Sequence, residues 1–596
     1  MRCPRRVWDP VRGRAGQRVR RGSRLAPVAR DDLRGRGDRG HLRLAADRHD
    51  REHRRLPGRR RSGRRDRTGR CVLAPRIGAR DPRHRAERGP WLARRAPHGD
   101  RRGAPRALGR RAAARSQRPP RLARGRDRAD RRIPDRQRAR GARSVIVAAG
   151  PLVLAAAACV SFAFRKRLTL VGPFSLLAIA IAFVLVGLTA PDSTGSLLDL
   201  ELRLGALGRL AALVMLATLF VLVLYVVAEE PAYNFFPTAL AVGATALGVV
   251  TLTAALAICG VLVLGLLVPV GSFTFQVQRN RSVEAATRHF AFVALGGCMG
   301  IAALALAASL PKDQPATTFV LLAVILVIAF ALLLAAIPFH THAALLAGEV
   351  PTAALGLYFG VLVPATFVAF AEILTLSGLL PEIAQVVKVQ DLLHGIGLVS
   401  ALGGAFLASG APDLRRLVVY SVISNLGASL VGIGTLSGPG IIGALAGVLV
   451  TGACATQQLL AAGTLERRAG AERPSAAHAP LAALAFVIGG FGMIGAPPLV
   501  GFPGRFFIEL IAYQFSPTTG TVLVLATLLL LVGQLRAVIL LFGTTPTTWK
   551  AEPRPVAGVI GAVIFAALLA GGLQPEGFLE PIASFADEFL KAMRPL

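Results

Sequence analysis

The first 143 residues hold no Lys, no Phe, no Tyr and no Asn. A stretch this poor in large apolar side chains cannot bury a core, so disorder is expected of it. Its only aromatic residues are Trp8 and Trp91, too few to offer a stacking surface, and no nucleic-acid partner is expected. No short apolar run followed by small residues occurs in it, which excludes a signal peptide. The six cysteines, Cys3, Cys71, Cys159, Cys259, Cys298 and Cys454, show neither a C-x-x-C spacing nor a Cys/His pairing. No metal, haem or iron–sulfur site is therefore legible, and the last four read as small apolar filler.

What the first segment does have is arginine: 49 Arg against 14 Asp and Glu, a net charge of +35. Residues 144–596 hold 21 Lys and Arg against 20 Asp and Glu, so the basic character belongs to the first segment alone. An Arg-rich arm can bind an anionic surface. This one is built from Arg, Ala, Gly, Pro, Asp and His, residues with GC-rich codons. The preferred reading is an upstream start mis-assigned in a bacterium with a GC-rich genome, with translation beginning near Val145; a genuine basic tail is the alternative.

From residue 144 to 573 the composition is that of a multi-pass membrane protein. Apolar runs near the roughly 20 residues needed to cross a bilayer recur with short connections. They are continuous rather than alternating, and only helices or closed barrels satisfy the backbone in lipid, so they are helices. About 14 spans are expected, between 145–163 and 556–573. Residues 504–515 are too short to span alone, and 574–596 read as a short surface helix. Loops after odd-numbered spans carry thirteen Lys and Arg, and loops after even-numbered spans carry five, among them Arg203 and Arg505. The positive-inside rule then places odd loops in the cytoplasm and both termini outside. A +35 segment next to the first span opposes that orientation, which is a second argument for the upstream-start reading.

Three stretches carry a resemblance. "IPFHTHAALLAGEVPTA" (337–353) is similar to a Pro-Phe-His segment at a broken seventh span. "DLRRLVVYSVISNLG" (413–427) resembles an Asp-Leu-Lys-Arg-Leu-Leu-Ala-Tyr-Ser-Ser-Ile-Ser run, and "GAPPLVGFPGRFF" (495–507) a Gly-Leu-Pro-Pro-Leu-Ala-Gly-Phe segment. In this order and spacing they resemble the antiporter-like membrane subunits of respiratory complex I. That family is shared with multi-subunit cation/proton antiporters and membrane-bound hydrogenases. The resemblance implies an all-α fold of two inverted five-helix repeats, spans 4–8 and 9–13, with broken helices and a lateral proton path at mid-membrane. It also implies membrane and peripheral partner subunits in a bacterial inner membrane. Quinone and redox centres are then expected in those partners and no cofactor in this chain.

The resemblance further implies a Glu in span 5, Lys in spans 7 and 8 and His or Lys later. Ungapped counting places Leu264 or Gly265, Leu333, Val363, Thr451 and Ala455 at those positions. Intramembrane charges are costly and kept mainly for function, so their loss bears on activity. The remaining proton-path candidates are His340, Glu349, Glu372 and Arg536. His340 serves as a relay or as a partner for broken-helix backbone. Glu349, ahead of Pro351, reads first as a helix N-terminal cap. His342 reads as a hydrated interfacial side chain, and Glu372 as the one acid well inside a span. Tyr420, Ser421, Ser424 and Asn425 share one helix face, suited to interhelical hydrogen bonding or to lining water. Asp413, Arg415 and Arg416 set topology. Arg505, Glu509, Gln534 and Arg536 are candidates for one polar cluster. Two functions remain open: a proton-translocating subunit of a quinone-linked oxidoreductase or related assembly, and a non-conducting structural subunit that keeps the fold.

Overall fold

The computed structural model describes residues 132–593 apart from 198, 230, 231, 233, 275–280, 312–314, 382–386, 471 and 544–550; for 132–146, 387 and 388 it describes the backbone alone. Most of the Arg-rich segment, and the loop charges Arg279, Lys312 and Lys550, lie outside the described residues. The chain runs α1 (Arg132–Ala163), α2 (Leu168–Leu188), a hairpin of β1 (Ser193–Leu197) and β2 (Leu200–Leu204), α3 (Ala206–Glu229) and α4 (Phe235–Val249). There follow α5 (Ala255–Thr274), α6 (Ser282–Ser309), a broken helix α7a (Ala316–Leu333) and α7b (Thr341–Glu349), and α8 (Thr352–Leu376). The second half has α9 (Val387–Ser409), α10 (Leu414–Gly434), α11 (Gly438–Ala469) and a second broken helix, α12a (Pro480–Ile494) and α12b (Gly501–Phe515). It closes with α13 (Pro517–Phe542), α14 (Val556–Leu573) and α15 (Glu576–Ala592). Among the described residues, 11 helices are long and apolar enough to cross a membrane. The shorter apolar helices Val147–Ala163, Phe235–Val249 and Pro480–Ile494 fall where the first, fourth and twelfth spans are expected. α1 begins earlier than expected, since its helical backbone already runs from Arg132.

The two helix breaks use one backbone device. At the first, Ala335 has φ 55° and at the second Gly495 has φ 80°. The Ala335 N–H reaches Leu332 O (3.2 Å) and the Ala336 N–H reaches Ala331 O (2.9 Å). Correspondingly, Gly495 N–H reaches Gly492 O (3.2 Å) and Ala496 N–H reaches Phe491 O (3.0 Å). This pairing is the Schellman motif, which satisfies the last carbonyls of a helix at a left-handed residue. In both breaks a cis proline, Pro338 or Pro498, stands three residues after that left-handed residue. Neighbouring helices take the next free donors: Ile337 N–H binds Ser400 Oγ (3.0 Å) on α9, and Val500 N–H binds Leu568 O (2.9 Å) on α14. Irregular backbone persists at this depth because protein groups replace the water that lipid lacks. The breaks fall on the fourth span of each expected five-helix repeat.

The halves meet along α8 and α11. A Cβ on Gly360 would sit 1.9 Å from Thr456 Oγ1, and one on Gly452 would sit 2.6 Å from Pro364 Cγ. Only glycine allows these backbones so close, the usual way for membrane helices to gain packing contact. A π-helical turn, Tyr358–Leu362, interrupts α8 just before Pro364, which has no N–H to give to the regular ladder. α15 is amphipathic and lays Ile582, Phe585, Ala586 and Phe589 against α11 and α3.

The two breaks differ in tolerance. In Ala335→Gly, relief of a left-handed alanine (about 1 kcal/mol) is offset by the loss of a buried methyl (about 0.8 kcal/mol), so stability should barely move. In Gly495→Ala the new Cβ meets Arg505 Cβ at 2.9 Å and Gly501 O at 3.1 Å. Added to the backbone cost, that should destabilise by at least about 2 kcal/mol. Thermal unfolding of both variants in the same detergent checks the contrast.

Candidate functional site

Beside the second break a charged network crosses five helical segments. Arg505 and Glu509 stand four residues apart on α12b and pair directly, Nε to Oε1 at 2.8 Å. Arg505 also donates to Thr527 Oγ1 on α13 (Nη2, 2.5 Å) and to Asn425 Oδ1 on α10 (Nη1, 3.1 Å). The Thr527 hydroxyl donates in turn to Glu509 Oε1 (2.6 Å). Asn425 Nδ2 binds Met493 O in the last turn of α12a (2.8 Å) and Thr451 Oγ1 on α11 (3.2 Å). Arg505 is 8% exposed, so the cation is inside the bundle and not in the loop to which it was assigned for orientation. All three guanidinium nitrogens thus find an acceptor, as a buried charge requires. Chemically the pair is asymmetric: an arginine is a fixed cation, whereas a carboxylate accepts and releases a proton. Glu509 is therefore the exchangeable member.

Seven residues further along both α11 and α13, about 10 Å on, lies a second polar layer. Gln458 Nε2 donates to Gln534 Oε1 (3.1 Å) and to Phe486 O (3.0 Å), and Gln457 Nε2 donates to Ala485 O (2.8 Å). Beyond it, Arg415 binds Glu466 through two nitrogens and donates to Val350 O (Nη1, 3.0 Å), closing the end of α7b. A polar column thus descends α11 from Thr451 through Gln458 to Glu466.

The individual candidates sort differently from expectation. Asn425 joins the network, but Ser421 bonds to its own helix at Leu417 O, and Ser424 bonds across to Ala401 O; Tyr420 is only half-buried. The shared polar face thus divides into packing bonds and one network member. Gln534 belongs to the glutamine layer. Arg536 is exposed on the far side of α13, its guanidinium held by the Ser409 carbonyl, and takes no part. Glu349 ends α7b and caps nothing: the N-cap of the next helix is Pro351, without a side-chain cap bond. Asp413 is the true cap, accepting from Arg416 N at 2.8 Å. His340 is the N-cap residue of α7b, with Nδ1 buried and unpartnered among the described residues. His342 is fully buried, because α7b folds back into the bundle and turns it inward.

Glu372 is not deep in its span. It lies one turn from the end of α8 and lines a cavity of about 110 Å³ with Arg203, Asp192, Thr253, Ser584 and Glu588. Arg203 bridges Asp192 and Glu588, both at 2.8 Å, and those bonds raise its guanidinium above the ordinary arginine value. The hairpin and α15 therefore roof the Glu372 carboxylate. The counted positions Leu333 and Val363 are both buried. Sequence reasoning missed Thr527, Gln457 and Gln458. The i, i+4 spacing of Arg505 and Glu509 was the available signal for the pair.

Removing one member of the pair should cost more than removing both. Arg505→Met strands a half-buried carboxylate and should destabilise by about 2 kcal/mol, whereas Arg505→Met with Glu509→Met should recover most of that loss. A thermodynamic cycle of the two single variants and the double variant measures the difference.

Comparison with known proteins agrees with this architecture. Residues 289–531 match the family described as NADH:quinone oxidoreductase/Mrp antiporter, TM. The chain is 32% identical over 218 residues to NADH-quinone oxidoreductase subunit 13 of Thermus thermophilus, covering 35% of this chain and 45% of that protein. It is 28% identical over 267 residues to subunit N 3 of Streptomyces griseus, covering 43% and 47% respectively. These matches span less than half the length of either relative. A chain of respiratory complex I from Thermus thermophilus superposes with a TM-score of 0.65 at 23% identity, over 74% of this chain and 100% of that one. A chain of the Mrp complex from Dietzia sp. gives 0.62 at 17% identity, over 76% and 99%. Over residues 289–531, the chain is thus similar to the NADH:quinone oxidoreductase/Mrp antiporter membrane family.

Proposed function

We propose that this chain is a membrane subunit of a complex I-like NADH-quinone oxidoreductase, or of a related hydrogenase or antiporter assembly, and takes part in proton translocation through its second half. It works in a bacterial inner membrane beside membrane and peripheral partner subunits. Quinone and redox centres sit in those partners. The observation that carries the reading is the Arg505–Glu509 pair at the α12 break, in which a buried cation faces a half-buried, exchangeable carboxylate held by Thr527. The polar column down α11 supports a route between that carboxylate and the odd-loop face, the cytoplasmic face by the distribution of loop charge. Glu372, in its cavity on the opposite face, is the candidate group for exchange with the outside.

One observation favours the rival reading, a structural subunit that retains the fold without conducting. The first half carries Leu333 and Val363 where charged stations are expected, both buried. The readings separate in liposomes containing the complete assembly and a pH-sensitive dye. If Glu509 carries protons, Glu509→Gln should lower the driven flux by about tenfold or more, since the amide cannot exchange a proton. A flux unchanged by both Glu509→Gln and Glu372→Gln would assign the chain to the structural role.

A further inference from the structure

The first half holds a buried cluster that the charged network does not touch. His289 on α6, His342 on α7b and Tyr358 in the π turn of α8 are each 0% exposed. Ring centroids lie 5.5 Å apart for His289 and His342, and 4.9 Å apart for His289 and Tyr358. Phe273 packs edge-on against His289, and Phe292 stacks on His342 at 4.8 Å, so aromatic walls close the cluster.

Each imidazole has one nitrogen on a backbone carbonyl: His289 Nε2 on Leu266 O (3.1 Å) and His342 Nδ1 on Phe339 O (3.0 Å). A carbonyl only accepts, so those nitrogens carry the hydrogens and the neutral tautomers are set. The lone pairs then sit on His289 Nδ1 and His342 Nε2. These two atoms and the Tyr358 hydroxyl are buried and have no hydrogen-bond partner among the described residues. Two acceptors and one hydroxyl ask for two donors and one acceptor, which is the valence of a single water molecule. Buried waters typically make about three such bonds to groups that are otherwise unsatisfied.

The cluster also has a counterpart. His289, His342 and Tyr358 come from α6, α7b and α8, and the carbonyl partner of His289, Leu266, from α5. The charged network draws on α11, α12b, α13 and α10, the matching positions of the second five-helix repeat. His340, at the start of α7b, is the nearest further titratable side chain on that segment.

We propose that His289, His342 and Tyr358 form a neutral, water-centred proton station, the first-half counterpart of the Arg505–Glu509 network. One water donates to His289 Nδ1 and His342 Nε2 and accepts from the Tyr358 hydroxyl. An excess proton reaching that water passes to one imidazole lone pair, leaving water and an imidazolium whose other N–H stays on its carbonyl. It returns by the same bond. Two imidazolium rings this close would repel, so the station holds one proton at a time.

The water site stands apart from the translocation reading, whereas the relay role rests on it; two measurements keep them distinct. In a density map of the full-length chain in nanodiscs, at a resolution that shows other buried waters, one density is expected within hydrogen-bond reach of all three atoms. Tyr358→Phe, which keeps the ring, should weaken that density. A wild-type map without it, or with Tyr358 bonded directly to an imidazole, overturns the station. Driven flux of the complete assembly should fall about tenfold in His342→Phe and in His289→Phe. Flux unaffected by both overturns the relay role. A wild-type assembly that moves no protons sinks the translocation reading, and the density then still decides whether the water site exists.

Discussion

In a bilayer every buried N–H and C=O needs a partner from the protein, and the architecture of this chain depends on how that is met at two helix breaks. A Schellman cap at Ala335 and another at Gly495 turn the chain without orphaning carbonyls. Donors beyond the caps are taken up by Ser400 and by the Leu568 carbonyl, so α9 and α14 must lie where they do. Each break also frees a short helix, α7b or α12b, to point side chains inward that a continuous span would direct elsewhere. The polar chemistry of both halves hangs on those short helices.

The halves share a scaffold and differ in charge. In the second, the guanidinium of Arg505 is placed so that Asn425, Thr527 and Glu509 offset its desolvation. Without that set a buried cation would not be tolerated. The first half solves the same position with two imidazoles and a phenol, groups that are cheap to bury when neutral. It is closed toward the even-loop face by a surface device, in which Arg203, bridging Asp192 and Glu588, roofs the cavity at Glu372. Exposed ion pairs of this kind contribute little to stability, about 1 kcal/mol or less, so their significance lies in placing charge beside the cavity.

Much of the fold was legible because a helix in lipid answers to a one-dimensional signal, a long apolar run. The described spans lie on the runs that sequence alone marks out, and the Pro-Phe-His segment at Pro338 marked the first break. The site was less legible. Arg505 looked like a loop charge because the residues before it, Pro497 to Gly504, read as an exit from the membrane. His342 looked hydrated because it neighbours polar residues along the chain, although α7b turns it away from them. Glu372 looked deep because apolar residues flank it, but those neighbours line a helix end. Arg536 lies within an apolar span and faces outward. In each case the sequence shows neighbours along the chain, while the role is set by neighbours across helices.

Sequence alone determined the membrane class, the run of spans, the family resemblance and the absence of charge from the cores of the fifth, seventh and eleventh spans. Those properties depend on which residues occur and in what order. Only the tertiary structure decided that Asn425, Thr451, Arg505, Glu509 and Thr527 form one network, that Gln458 and Gln534 extend it, and that His289, His342 and Tyr358 share a buried cluster. Residues separated by as many as 102 positions, from Asn425 to Thr527, meet there. Their convergence follows from how the broken helices pack, and no local pattern encodes that.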